Sequence, residues 1–338
     1  MTKHVGIVGA SGYVGLELLR LLAIHPEFRV TWITSREHRG KPVSAVHPSL
    51  RGVYDLPFSD RGSVPDDLAV VFIAVPHGES MAIVPELRAK RPDLAIIDLG
   101  SDFRLSAEQY AATYAHEHTA LGLLRTAVYG TPELNATAIA QSTLIANPGC
   151  FAHCIILGLA PLARAGLIGA RVKIAAVTGS SGSGAQATQK THHPERNDSL
   201  SAYQVLTHRH VPEIEAALSQ WGHPVSIDLV PISGPLSRGI FATMFVELTD
   251  PSADVTALYA AFAEANPFVR FRAETPRALE VRGSNFTDIG VHTLGSTAVV
   301  ISTIDNLVKG AGGNAIQCAN IVCGMNPTTG LYTPPLFP

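Results

Sequence analysis

Apolar residues in the first 150 positions come as short β-branched runs separated by a helix-period stretch and polar turns. Val5–Val8, Arg29–Thr34, Ala69–Val75, Leu94–Leu99 and Thr143–Ala146 are strands at α/β spacing, and Leu16–Leu22 repeats with the period of a helix. Ala69–Val75 is continuously apolar, as expected of a strand buried on both faces. Beyond residue 150 the pattern changes. An apolar stretch predicts a helix over Cys150–Ala165, and strands follow at Val172–Val177, Val225–Val230, Gly239–Leu248 and Ala298–Thr303. These are spaced like a mixed or antiparallel sheet carrying helices on one face. The fold class is α/β: a doubly wound, mostly parallel sheet, then an α+β domain for substrate. A chain of 338 residues is long enough for both.

The opening strand runs into Gly9-Ala10-Ser11-Gly12-Tyr13-Val14-Gly15 and then the helix. Strand, glycine turn and helix begin a Rossmann-type dinucleotide-binding unit. Gly9 permits the tight turn, Gly12 lets backbone approach a pyrophosphate, and Gly15 allows close helix–strand packing. Ser11, Tyr13 and Val14 belong to the same cradle, and the phosphates rest on the helix N-terminus. The competing reading is a βα turn with no ligand. At the end of the second strand, Thr34-Ser35-Arg36 stands where an NAD site wants a carboxylate, with Arg39 and Lys41 close behind. Hydroxyls and a guanidinium suit a 2′-phosphate, so NADP(H) is the expected cofactor, unless Arg36 is an ordinary solvated arginine.

Charge and cysteine content narrow the partners. A net charge of −3 and no lysine or arginine run argue against nucleic acid or an anionic membrane. Cys150, Cys154, Cys318 and Cys323 fit no zinc spacing, and a reduced cytoplasmic protein is the simplest account. The start MTKHVGIVGASG does not read as a signal peptide, and the longest apolar candidate, Ile155–Leu162, is too short to span a bilayer.

The chemistry-bearing residues gather at predicted strand ends, where ligands of open α/β sheets bind. His77 follows the third strand, Arg104 the fourth, and Cys150 the fifth. Pro148 and Gly149 turn the chain so that Cys150 opens a helix, where unpaired N–H groups and the dipole favour a thiolate. The bland alternative is a small buried cysteine. Thr178–Ala185, which contains Gly182, lacks the Lys-Ser/Thr of a phosphate loop and reads as a flexible substrate-side loop. His192/His193 and His208/His210 match no helical metal pair, and no metal is expected. A Cys–His pair fits better. If His208-Arg209-His210 is a strand, its histidines point one way and Arg209 the other, and one imidazole serves Cys150 as acid/base; the alternative is a surface histidine pair. Glu215 is expected to begin the next helix.

Taken in order, VGIVGASGYVGLELLRLL, LGSDFRL, VYGTPEL, ANPGCF, HRHVPEIE, SRGIFAT, GSNFTDIG and STIDNLVKGAGGNAIQ span nearly the whole chain. The chain resembles the N-acetyl-γ-glutamyl-phosphate reductases of the aspartate-semialdehyde dehydrogenase superfamily. The resemblance implies an acyl-phosphate reductase of arginine biosynthesis in which Cys150 expels phosphate to form a thioester that NADPH reduces to the semialdehyde. It implies His210 as acid/base, with His208 the alternate, and Glu213 orienting the histidine. Arg104, Asn147, Arg209 and Arg238 are candidates for holding the phosphate or carboxylate. His77, Gly182 and Asn314 are candidate dinucleotide contacts. Asn314 would lie near the nicotinamide, so the C-terminal helix 312–338 should complete a domain 1–149, leaving 150–311 for catalysis and oligomerisation.

Ser183-Gly184-Ala185-Gln186 departs from the arginine-pathway pattern. His192–Arg196 is similar to relatives that reduce 2-aminoadipate or glutamate phosphates carried on an acidic amino-group carrier protein, which Lys190 and Arg196 would meet. A non-catalytic NADPH-sensing regulator is the alternative of another class. The expected assembly is a homodimer or homotetramer through the outer face of the second domain's sheet.

Overall fold

The computed structural model describes residues 2–222 and 224–337, with the side chain of Lys190 outside the description. The chain forms two compact units, Met1–Pro148 with Ala311–Tyr332, and Gly149–Gly310 with Thr333–Pro338.

The first unit contains β1 (Lys3–Val8), α1 (Tyr13–Leu22), β2 (Phe28–Thr34), α2 (Val43–Val46), β3 (Leu68–Ile73), α3 (Ser80–Lys90), β4 (Ala95–Asp98), α4 (Ala107–Tyr114), α5 (Leu121–Leu124), β5 (Val128–Tyr129), α6 (Pro132–Ala140) and β6 (Leu144–Ala146). The strands pair in parallel in the order β2-β1-β3-β4-β6-β5. A parallel sheet is covered on both faces by its crossovers, so its strands are apolar throughout, and Val70 to Ile73 are fully buried. Register levels the strand ends: Val8 opposes Thr34 and Ile73, Ile73 opposes Asp98, and Asp98 opposes Ala146. The turns after β1, β2, β3, β4 and β6 therefore share one edge. The strand order reverses between β1 and β3, the crevice where open α/β sheets take ligands.

The second unit opens with α7 (Cys150–Arg164), followed by β7 (Ile168–Thr178), α8 (His193–Arg196), β8 (Ser201–Ala202), α9 (Val211–Ser219), β9 (Ser226–Ser233), β10 (Ile240–Leu248), α10 (Val255–Ala265), β11 (Val269–Arg272), β12 (Thr287–Leu294) and β13 (Thr297–Ile304). The sheet order is β11-β12-β13-β10-β7-β9-β8, with β11–β12 and β7–β9 parallel and the other pairings antiparallel. Along β10, Ile240, Ala242, Met244, Val246 and Leu248 are buried, and the residues between them face the opposite side. Helix α7 is buried on every side from Phe151 to Ala163, a pattern that requires cover all round. Its isoleucines and leucines each contribute about 1.5–3 kcal/mol of burial. That packing holds Cys150, at the first helical position, on a rigid element.

Every strand expected from the sequence is present, with ends shifted by a few residues; β5, β8, β11 and β12 were not anticipated. Three expectations change. His208-Arg209-His210 lies in a turn, and α9 begins at Val211 rather than Glu215, because Pro212 suits the first turn of a helix. The last helix, α11, is Gly313–Val322 rather than 312–338: Gly324 at φ +70° and Pro327 end it. Residues 311–332 belong to the first unit and residues 333–337 to the second. Among the described residues no helix is long and apolar enough to cross a membrane.

Candidate active site

Steric demand explains two of the three motif glycines. Gly9 has φ +85°, and a Cβ there would lie 2.3 Å from the Ala74 carbonyl oxygen. At Gly15 a Cβ would lie 2.5 Å from the Cα of Ala10. Gly12 differs: a Cβ there meets nothing within 4 Å. It caps α1 with no side-chain hydrogen bond to the helix N–H groups. Packing within the protein does not demand a glycine here, but a phosphate lying on the helix N-terminus does. Tyr13 is exposed and Val14 half-buried beside it. Ser35 donates to Ser11 across 3.0 Å, and exposed Arg36 pairs with Glu79 at 2.8 Å. Glycine cradle, open helix end, hydroxyl pair and guanidinium together fit a dinucleotide with a 2′-phosphate.

Further along the edge, the quarter-exposed ring of His77 stacks on Tyr114 at 3.9 Å between centroids. Its Nδ1 lies 2.5 Å from Ser101 Oγ and 3.1 Å from Asp102 Oδ1. Arg104 donates to the Leu99 carbonyl at 2.9 Å. The Asn147 N–H donates to the Asp98 carbonyl at 2.7 Å, extending the β4–β6 ladder past the strand end. Asn314, fully buried on α11, gives its amide N–H groups to the Gly130 carbonyl at 2.7 Å and to Asn147 Oδ1 at 2.8 Å. It ties α11 to the sheet and holds Asn147.

The second unit carries the thiol. Gly149, extended, precedes the helix, and its N–H donates to Glu213 Oε1 at 2.7 Å. Through that oxygen the Glu213 carboxylate grips the turn that delivers half-buried Cys150. His208 and His210 are both buried, with rings edge-to-face at 4.7 Å, and Phe151 packs against them at 5.4 and 6.3 Å. Thus the alternation expected of a strand is produced by a turn: the histidines go inward and Arg209 is exposed. His208 Nδ1 accepts from the His210 N–H at 3.2 Å. Burial, then the Arg209 charge, pushes His208 down to about 4, so it is a neutral acceptor at pH 7.

Four neighbours were not picked out from the sequence. Tyr203 packs edge-on against His208 at 5.9 Å, and burial together with the field of Cys150 pushes its phenol up to about 12. Gly310 abuts Cys150: a Cβ at Gly310 would lie 2.9 Å from Cys150 Cβ. Fully buried Asp305 accepts from the N–H groups of Gly283, Leu307 and Val308 at 2.7–3.1 Å and from Arg238 at 3.0 Å, fixing that guanidinium. Asn306 accepts from the Gly239 N–H at 2.7 Å and donates to Ser181 at 3.0 Å. The loop holding Gly182 is thereby docked as a 3₁₀ turn over Ser180–Ser183, where a flexible loop was expected. Acid and amide residues in a buried strand-to-helix turn are the signal for such hubs, but their partners lie 22 to 125 positions away. On α8, Arg196 turns its guanidinium toward the Thr178 carbonyl at 3.4 Å, and the Lys190 side chain lies outside the described residues.

Residues 4–142 match the semialdehyde dehydrogenase NAD binding domain, and residues 150–306 the semialdehyde dehydrogenase dimerisation domain. An N-acetyl-gamma-glutamyl-phosphate reductase from Citrifermentans bemidjiense is 44% identical, and one from Methanopyrus kandleri 45%, each over 99% of both chains. The chain belongs to the N-acetyl-gamma-glutamyl-phosphate reductase family. It is accordingly an enzyme, an NAD(P)-dependent oxidoreductase of the semialdehyde dehydrogenase type. A structure of aspartate semialdehyde dehydrogenase with NADP from Candida albicans superposes with a TM-score of 0.72 at 15% identity, over 96% of this chain and 99% of that one. At that identity the likeness is one of fold.

Proposed function

We propose that the chain reduces N-acetyl-γ-glutamyl phosphate with NADPH, releasing phosphate and N-acetylglutamate 5-semialdehyde, a step of arginine biosynthesis. The observation that carries the reading is Cys150 at the first position of a buried helix, its turn anchored by Glu213 and its neighbour Phe151 packed on two buried histidines. Cys150 Sγ attacks the acyl carbon and the phosphate leaves with its bonding electrons, giving a thioester. What a bound NADPH brings to this chemistry is hydride. Gly9, Ser11, Gly12, Tyr13, Val14 and Gly15 are assigned to its pyrophosphate, Ser35 and Arg36 to its 2′-phosphate, and His77 to the end of β3.

His210 is assigned to hold and return the proton. His208 is not, since a neutral imidazole whose Nδ1 already accepts the His210 N–H serves to shape the turn. Arg238, braced by Asp305, is assigned to the phosphate or carboxylate of the substrate, with Arg104, Asn147 and Arg209 as further candidates. The outer face of the second sheet, where Phe245 is 48% exposed beside Lys173, is assigned to a second copy, in keeping with the dimerisation domain of the family.

The test is Cys150→Ala and Cys150→Ser, assayed for phosphate-dependent NADP reduction on N-acetylglutamate semialdehyde. Both should lose turnover by about 10³-fold or more while NADPH binding persists. Normal turnover in Cys150→Ala refutes the thioester. Preference for a carrier-linked 2-aminoadipate or glutamate semialdehyde over the free N-acetylated one refutes the substrate.

A further inference from the structure

The first unit buries two carboxyl groups against one hydroxyl. Ser80 Oγ lies 2.9 Å from Asp98 Oδ2 and 2.9 Å from Asp102 Oδ2, and all three side chains are fully buried. A serine hydroxyl has one hydrogen, so it satisfies one carboxylate oxygen only. With both acids ionised, the other contact would bring lone pairs together between two buried anions. One carboxyl must therefore hold a proton.

Donor placement shows which. Asp102 accepts from the N–H groups of Gly78 at 2.9 Å and Met81 at 3.1 Å, meets His77 Nδ1 at 3.1 Å, and takes a long contact from the Tyr110 hydroxyl at 3.4 Å. Asp98 accepts from the Gly100 N–H at 3.0 Å through Oδ1, and its Oδ2 faces the Ser80 hydroxyl. The proton belongs on Asp98 Oδ2, giving a chain from Asp98 to Ser80 to Asp102. The charged groups near Asp98 are Asp102 and Arg104. The strands β3 and β6 beside β4 carry no ionisable side chain, and α11, which also packs on β4, carries the thiol of Cys318 as its titratable one.

The consequence runs to the edge of the sheet. The Gly78 and Met81 N–H groups held by Asp102 belong to the turn 76–81 that leaves β3 beside the strand-order reversal, and His77 is in that turn. We propose that Asp98, Ser80 and Asp102 are positioning residues that share one proton and, through His77 and the turn 76–81, set the affinity for the dinucleotide. The inference rests on the dinucleotide reading of this unit. Losing the proton from Asp98 would force Ser80 to choose between two anions and release Asp102's hold on the turn. Burial, then the charge of Asp102, pushes Asp98 up to about 7. Burial also acts to raise Asp102, but its N–H donors, Ser80 and His77 prevail and leave it lowered. Both directions agree with the donor placement.

Two measurements on the full chain test this. Infrared spectra of the ligand-free protein should contain the carbonyl band of a protonated carboxyl at pH 6, fading through about pH 7 and missing in Asp98→Asn. NADPH binding, followed by fluorescence titration from pH 5.5 to 8.5, should weaken by about fivefold or more across the upper half of that range relative to Asp98→Asn, whose amide donates to Ser80 at every pH. The comparison with Asp98→Asn removes the titration of the 2′-phosphate itself, near pH 6. Ser80→Ala should weaken binding at all pH values. A wild-type spectrum without the band overturns the shared proton even if no variant folds. A band with parallel NADPH profiles in wild type and Asp98→Asn overturns the positioning role. Failure of wild type to bind NADPH at any pH would instead overturn the dinucleotide reading and with it the positioning role, while the band alone still decides the proton.

Discussion

Gly310→Ala is the sharpest probe of how Cys150 is held. The alanine Cβ would lie 2.9 Å from Cys150 Cβ, 3.2 Å from Ile304 Cδ1 and 3.3 Å from the Asp305 carbonyl oxygen. Carbon atoms settle at roughly 3.5–4.0 Å, so the Cys150 contact must open by about 0.6–1.1 Å. The segment has little room to retreat, because the Gly310 N–H is bonded to the Asp305 carbonyl at 2.9 Å and Asp305 is itself fully buried. Gly310 is not among the glycines with positive φ, so replacing it relieves unfolded-state entropy by about 0.4–1 kcal/mol. Overpacking costs about 1–3 kcal/mol, and the balance is a modest loss of stability. The kinetic loss should be larger, about 10²-fold in kcat/KM, since displacing a nucleophile by about an ångström spoils attack. The assay pairs steady-state turnover with the rate at which iodoacetamide alkylates Cys150, with NADPH affinity as the control that should not change. Wild-type turnover and alkylation in a folded Gly310→Ala protein would refute the packing argument.

Two further perturbations address the same cluster. Glu213→Ala leaves the buried Gly149 N–H without its charged acceptor and should cost about 1.5–3 kcal/mol in the urea midpoint, with slower alkylation of Cys150; a neutral result would mean that the Gly149–Glu213 bond does not hold the turn. His208 links stability to acid. Its folded value of about 4 lies below the ordinary 6.5, so between those pH values the unfolded chain binds more protons and stability falls as pH drops from about 6.5 to 4. The loss should reach about 3 kcal/mol and be missing in His208→Gln, whose urea midpoints would otherwise track wild type; equal acid sensitivity in both proteins refutes the assignment.

Much of this molecule was legible in one dimension because its signals are local. The period-2 and period-3.6 patterns, the glycine turn after β1 and the Pro-Gly stop before Cys150 act through neighbours in the chain; the first sheet apart from β5, four of the seven strands of the second, and the start of α7 followed from them. The histidine pair shows the limit of that reasoning. Alternate residues face opposite ways in a strand, yet here a turn ahead of α9 buries His208 and His210 together while Arg209 stays outside. The Glu213 carboxylate accepts from the Gly149 N–H, 64 residues earlier, a partner that no local pattern marks. Asn314 likewise donates to Asn147, 167 positions earlier.

By itself, the sequence determined the two-part architecture, the glycine turn after β1 and the place of the thiol, since each depends on backbone preference and hydrophobic period over a few residues. The tertiary structure alone decided which groups share hydrogen bonds and protons. Gly310 against Cys150, Asp305 under Arg238, and one proton shared by Asp98 and Asp102 through Ser80 are pairings across 18 to 160 positions that leave no periodic trace. Burial explains that division: it turns ordinary polar residues into partners that must be satisfied, and which partner is within reach is a property of the folded chain.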